Sequence, residues 1–441
     1  MEPRSDGSST TDTHAKALAL NLDPSIYGSF AEIGAGQDVA NWFLRVGAAS
    51  GTVAQTICAY DKAFSDDRYG KGTRYVSRER LLAMLEREYT LLRTELGPSR
   101  PGSRFFSFAE TVAARNFKGD NEQHGWVGLR FETEPGGPTH DILLHAALRD
   151  PTADEQRESL GVFGVNLIDA AYHHLASPTE FLKSLFEGLS RKSLEVDVIE
   201  LGGPGFAGAD GRRWCLQALR LGMCHAVVFD RTGRPVEPAA VLRKRPLIVE
   251  RGRFESSAPD QANIYRSAET QLRSEGQPLK ADPAAVLEMT VTETPGAPGP
   301  EDAAILTRVD RLAKLGVVVV SDLAQGYLLV DYLRRHTSEP IRVALAVSTL
   351  AQMLIEDYSA ALPGSLLEGL GKLLAENVKI YCYPVPVETF RKLFASEAAA
   401  RIFSPPSAGV LKIDDLCPQP PLDHLLRYLR AAGWVVPIDP V

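Results

Sequence analysis

The run LGVVVVSD at 315–322 sets the reading of this chain, together with PLIVE at 246–250 and VALAV at 343–347. Each is a short, unbroken apolar stretch rich in β-branched residues. A strand with one wet face alternates polar and apolar side chains. An unbroken run suits a strand of a parallel sheet covered on both faces. Working outward, comparable stretches recur at Glu195–Leu201, Ala226–Asp230, Val286–Thr292 and Lys379–Tyr383, with a short last strand at Trp434–Ile438. Helical patterns separate most of them: Arg212–Leu221, Pro259–Ser274, Pro300–Leu315, Tyr327–Arg335, Leu366–Ala375 and Leu422–Ala431. A serial strand–helix grammar defines an α/β fold over the C-terminal two-thirds. A (β/α) barrel is expected ahead of a doubly wound parallel sheet, because the alternation is regular and no glycine-rich phosphate loop follows these strands.

The N-terminal third reads differently. Residues 1–15 are polar and small, and a disordered tail is expected there. Residues 16–150 form an α+β region. It holds a short amphipathic helix at Gln37–Val46, a Ser77-capped helix through Leu96, and a hairpin of Trp126–Glu132 and Asp141–Leu148 around Glu-Pro-Gly-Gly-Pro. Residues 151–441 make the repeat domain, opening with helices at Ala153–His174 and Pro178–Ser190. The Pro/Gly-rich ETPGAPGPED at 293–302 is expected to be an exposed loop within it.

The 441 residues are 44% hydrophobic and 24% charged, which excludes a wholly disordered chain. A net charge of −8 argues against nucleic-acid binding through a broad basic surface. Five cysteines at 58, 215, 224, 382 and 417 show no paired spacing, so neither a disulfide framework nor a zinc site of cysteines is indicated. Cys215 and Cys382 read as buried hydrophobes. No apolar segment approaches the roughly 18 residues of a membrane helix. The N-terminus has no signal-peptide core, so a cytoplasmic location is expected.

In α/β sheets ligands bind at the carboxyl ends of the strands. Those ends carry Glu200, Asp230, Glu250, Thr290, Thr292, Ser321-Asp322 and Ser348-Thr349. Glu200, ahead of a flexible Gly-Gly-Pro-Gly, and Glu250, flanked by Arg243–Arg245 and Arg251, are the candidate catalytic carboxylates. They could act as acid and base or hold a divalent metal. A strand must also end in something polar as it enters a loop, which is the competing explanation for each. EIGAGQD at Glu32–Asp38 places Gly-Ala-Gly before a helix and could present amides to an anion, although the third glycine of a dinucleotide loop is missing. Among the nine histidines, His124 and His145 could meet across the hairpin, near Arg130. His140 is five residues from His145 and therefore on the other strand face, which argues against a metal held by both. No specific cofactor or metal site is read from the sequence, and the oligomeric state is left open.

LNLDPSIYGSFAEIGAGQDVA, ICAYDKAFSDDRYG, RYVSRERL, FFSFAETVAARN, HGWVGLRFE, PGGPTHDILLH, LGVFGVNLIDAAY and PLIVERGRF together resemble a family of uncharacterised bacterial proteins of the cyanobacterial and Bacteroidetes type. Relatives carry mutually inconsistent labels such as nicotinate-nucleotide adenylyltransferase and TonB-dependent receptor. An outer-membrane receptor does not fit, since alternating barrel strands are missing, and the adenylyltransferase phosphate motif is absent. Mapped here, the motifs of that resemblance imply roles for Glu32, Gln37, Asp61, Ser65, Asp66, Tyr69, Arg74, His124, Arg130, His145, Asn166, Glu200, Asp210 and Arg212. Of these, Glu32, Gln37, Asp66, Arg74, His124, Arg130, His145, Asp210 and Arg212 are taken as candidate ligand-binding residues.

The expectation is an enzyme acting on a small anionic metabolite, a nucleotide or sugar phosphate, at the strand ends. Glu200 and Glu250 would share one pocket. The alternatives are a non-catalytic scaffold, whose strand-end carboxylates pair with Arg or Lys, and a nucleotide or cofactor sensor with an open helix N-terminus at Glu32–Asp38.

Overall fold

A computed structural model describes residues 7–72, 74–254, 259–291, 300–394, 402–403 and 406–439. The chain forms two compact units. One is built from residues up to Val227, joined by a short segment ending at Asp302; the other is built from the rest, starting at Val228.

The first unit carries α1 (Gly7–Leu22), β1 (Ile26–Ile33), α2 (Asp38–Val46), β2 (Val53–Ile57), α3 (Lys62–Tyr69), α4 (Arg78–Leu96), β3 (Arg104–Ala113), β4 (His124–Glu132), β5 (Thr139–Leu148), α5 (Ala153–His173), α6 (Pro178–Leu185), β6 (Leu194–Gly202) and α7 (Gly211–Arg220). Its sheet runs β2-β1-β3-β4-β5-β6. β1 is parallel to both β2 and β3, and β3 through β6 alternate antiparallel. On one face, Leu81, Met84 and Leu85 of α4 pack on Ala31, Ala109, Trp126, Leu143 and Val198. On the other, Phe43 of α2 meets Phe30 at a 5.0 Å ring separation. There Gly164 of α5 leaves no room for a Cβ against Val39 and Phe108.

The second unit follows with β7 (Ala226–Phe229), which straddles the boundary, α8 (Pro238–Leu242), β8 (Leu247–Arg251), α9 (Pro259–Ser274), β9 (Ala284–Thr290), α10 (Pro300–Leu312), β10 (Val317–Ser321), α11 (Gly326–Arg334), β11 (Ile341–Ala346), α12 (Val347–Met353), α13 (Ser365–Leu373) and β12 (Val378–Tyr383). A small β13/β14 pair (Val385–Pro386, Val410–Leu411) flanks α14 (Val387–Leu393); a last helix, Leu422–Ala431, and β15 (Val435–Pro437) close the chain. The sheet order is β15-β12-β11-β8-β9-β10-β7, and β8 through β12 and β15 pair in parallel. Helix α9 buries Ile264, Ala268 and Leu272 against Ile248, Ala344 and Tyr381. Leu329 and Leu333 of α11 line the opposite face with Val249, Val343 and Leu345.

The α/β class holds, and the expected strands of the repeat fall within a few residues of the observed ones. The barrel does not: β15 and β7 are open edges, so the parallel sheet is doubly wound. The division between units falls at Val227, not near residue 150, because β6 pairs antiparallel with β5 and takes α5, α6 and α7 with it. Part of the expected tail, from Gly7, is helix α1. The loop at 293–302 and Thr292 lie largely outside the described residues. No described helix is long and apolar enough to cross a membrane.

Candidate functional site

In the first sheet, β1 connects to β2 on one side, and the chain then crosses back to place β3 on the other side of β1. Such a reversal opens a crevice at the carboxyl ends of the two strands, where open α/β sheets bind ligands. The same edge receives the ends of β2 and β5 and the starts of β4 and β6. It therefore gathers Glu32, Thr56, Cys58, Glu110, His124, His145 and Asp197.

Glu32 and Glu110 are direct neighbours in the parallel register of β1 and β3, and so point to the same face. Both are buried. Glu32 Oε2 accepts from the Val39 amide at 3.0 Å, and Oε1 from the Ala40 amide at 2.9 Å, closing the first turn of α2. Burial pushes its carboxyl up to about 7, against the pull of those amides, and Asp38 adds to the rise. Glu110 goes further. Burial, then Glu32, then Asp38 hold it well above the usual carboxylate range, and its Oε2 is sealed with no hydrogen-bond partner. No cation figures among the groups that set either value. Two adjacent buried carboxylates cannot both ionise cheaply, so near neutral pH the pair carries fewer than two charges.

The loop after β1 is shaped by necessity. Gly34 has φ +105° and its missing Cβ would lie 1.8 Å from the Val112 carbonyl oxygen; Gly36 has φ +110° and crowds Arg157. Only glycine fits both. Gln37 Nε2 donates to Thr56 Oγ1 at 2.7 Å, tying this loop to β2. Cys58 is exposed just beyond β2, and burial followed by the charges of Glu32 and Glu110 raise its thiol pKa. That makes it a poor thiolate.

On the α4 face, Asp66 accepts from the Tyr75 hydroxyl at 3.0 Å and pairs with Arg80 at 3.2 Å, and Thr111 Oγ1 donates to the Tyr75 carbonyl at 2.7 Å. Asp66 thus organises the 62–77 segment. Arg74 is exposed, and its carbonyl accepts from Ser77 Oγ. Asp61 caps α3. His124 and His145 do meet, with Nδ1 and Nε2 3.0 Å apart, and His145 Nδ1 lies 2.6 Å from Asp197 Oδ1. Burial raises the Asp197 carboxyl, opposed by His145. His140 stands on the opposite face against Phe131 and Phe206, with its Nδ1 accepting from the Gly205 amide, a packing role.

Four expected site residues belong to the other edge of this sheet. Glu200 lies near the end of β6, which runs antiparallel, and both its oxygens accept from Arg78 Nε at 2.7 Å. Arg130 is held by Asp141 at 2.7 Å and by Glu86, and is not near the histidines. Asp210 caps α7 and pairs with Arg212 at 3.1 Å. These are surface or half-buried ion pairs at the amino ends of the parallel strands. Glu250 belongs to the second sheet. Glu200 and Glu250 therefore belong to different sheets, one in each unit. The open helix N-terminus required of a sensor is absent, because Glu32 occupies it.

In the second sheet the ends of β9 and β10 are joined by a side-chain network. Glu288, at the end of β9 and fully buried, accepts from Ser321 Oγ at 2.6 Å and Thr290 Oγ1 at 2.9 Å and pairs with Arg251 at 2.9 Å. Burial raises its carboxyl, and Arg251 is the largest opposing influence. This closed network accounts for Thr290 and Ser321 as structural groups. Glu110, Asp197 and Glu288 were not among the expected site residues. Each lies inside a strand, where no turn or glycine motif flags it.

No family model matches the chain. No curated protein matches it either. Among solved structures it is similar to competence/damage inducible protein CihA from Agrobacterium tumefaciens, with 21% identity over 36% of this chain and 94% of that one and a TM-score of 0.28. It is also similar to the competence damage-inducible protein A of Klebsiella pneumoniae (10% identity, 37% and 98%, TM-score 0.30) and a competence-damaged (CinA) superfamily protein of Enterobacter cloacae (11%, 39% and 97%, 0.29). Likeness at this level carries no argument about function.

Proposed function

We propose that the protein is an enzyme that moves protons on a small metabolite at the carboxyl ends of β1 and β3. Glu32, steered by the α2 amides, is the general base; Glu110, held well above the usual carboxylate range by burial and by Glu32, is the general acid. The observation that supports this is the buried Glu32–Glu110 pair, with no Arg, Lys or His partner among the described residues, beside a two-glycine loop. A scaffold protein has no use for such a pair, whereas an acid–base site needs carboxyls poised near neutral pH. Other strand-end carboxylates do pair off, as Glu288 does with Arg251. The substrate is a small polar molecule whose anionic group, if it has one, is not held by the α2 N-terminus, since Glu32 fills that position.

A thermal-shift screen against nucleotides, sugar phosphates, amides and divalent metals tests the reading, because a ligand of the folded state raises the melting point in proportion to RT ln(1 + [L]/Kd). A hit that is turned over by the native protein, and still bound but not turned over by Glu110→Gln, supports it. Turnover unaffected by Glu110→Gln removes it.

A further inference from the structure

The second unit contains a cavity of about 260 Å³ under α9. Its walls are mainly apolar: Ile248, Ile264, Leu287, Leu315 and Ala344. Two acceptors line it as well. Glu250 is 7% exposed and shares the face of Ile248 on β8. Gln261, in the first turns of α9, has its Oε1 buried with no hydrogen-bond partner. A buried acceptor left unmatched costs about 1–3 kcal/mol, so an occupant that donates to it recovers that cost. Three exposed cations, Arg231, Arg266 and Lys314, also line the cavity. Drug-sized sites occupy roughly 300–1,000 Å³, so this space accepts one ring rather than a whole nucleotide.

We propose that this cavity binds a small heterocycle bearing N–H donors, with the donors turned to Glu250 and Gln261 and an anionic substituent turned out to Arg231, Arg266 and Lys314. An apolar ring fits the walls, an amine or amide edge matches two acceptors, and the basic rim selects a phosphate or carboxylate tail. This places the anionic ligand anticipated from the sequence in the second unit, and it stands independently of the Glu32–Glu110 pair.

Isothermal titration calorimetry with cytosine, cytidine 5′-monophosphate and toluene tests it on the full chain. The monophosphate should bind more tightly than cytosine, and toluene weakly or not at all. Glu250→Gln should weaken both cytosine ligands by about tenfold, the effect of one charge-assisted hydrogen bond. Arg266→Ala should weaken only the monophosphate. Ala262→Leu, which fills the cavity from a helix without touching a polar group, should abolish binding while the melting point stays at or above that of the native protein. Absence of binding by both cytosine ligands, toluene binding as well as cytosine, or affinities indifferent to both Glu250→Gln and Ala262→Leu would overturn the proposal.

Discussion

Glu32 on β1 and Glu110 on β3 stand side by side in the parallel register, both buried, with only Glu32 anchored by the amides of α2. The asymmetry assigns their roles. The anchored carboxylate keeps its charge more easily, and the unanchored one keeps the proton.

The pair makes stability depend on pH with a definite sign. Glu32 rises from 4.5 unfolded to about 7 folded, so between these values the folded state binds more protons than the unfolded state. Stability is therefore highest below about pH 4.5 as far as this pair is concerned, and falls as pH rises through 7. Glu110→Gln removes the repulsion, and its melting point should exceed the native value by about 1 °C at pH 8, the shift expected for roughly 1 kcal/mol in a chain of 441 residues. At pH 4.5 the gain should vanish. Differential scanning fluorimetry across pH measures both; a gain that is equal at the two pH values would contradict the account.

Glu32→Ala strips the acceptors from two amides at the start of α2. A loss of about 1–3 kcal/mol in urea unfolding is expected, larger than for an exposed cap, because the amides are left without water. A loss near zero would show that α2 does not depend on Glu32.

Gly34→Ala forces a Cβ into the Val112 carbonyl at a φ that L-residues avoid. The loop must shift, at a cost of about 1–3 kcal/mol, and activity should drop with it. An active Gly34→Ala protein of native stability would mean that the loop is not held as described.

Glu200→Ala separates the site described here from the one expected from strand-end position. Glu200 and Arg78 are 31% and 41% exposed as side chains, so their pairing contributes no more than about 1 kcal/mol. Turnover should be unchanged within about twofold, a difference worth only a few tenths of a kcal/mol in the barrier. A tenfold loss would return Glu200 to the site.

The parallel strands of the second unit were legible because nothing polar interrupts VVVV or VALAV. The strands that build the candidate site were not, for a physical reason. β1 reads IYGSFAEI and β3 reads RFFSFAETVA, each with a glutamate where a buried strand should be apolar. The two carboxylates of the candidate site are the residues that break the apolar strand pattern. Glu32 and Gln37 were visible through the neighbouring glycines. Glu110 carried no such marker, and only the register of β1 with β3 brings it beside Glu32. Glu200 reads as the end of a parallel strand, but β6 pairs antiparallel with β5, a pairing that local sequence does not reveal.

The most direct test is the titration of the two side-chain carboxyls by carbon-13 NMR, with Glu110→Gln and Glu32→Gln to assign the signals. The account predicts that Glu32 titrates near 7 and that Glu110 titrates well above the usual carboxylate range. Both groups titrating near 4.5, as independent exposed carboxylates do, would contradict it.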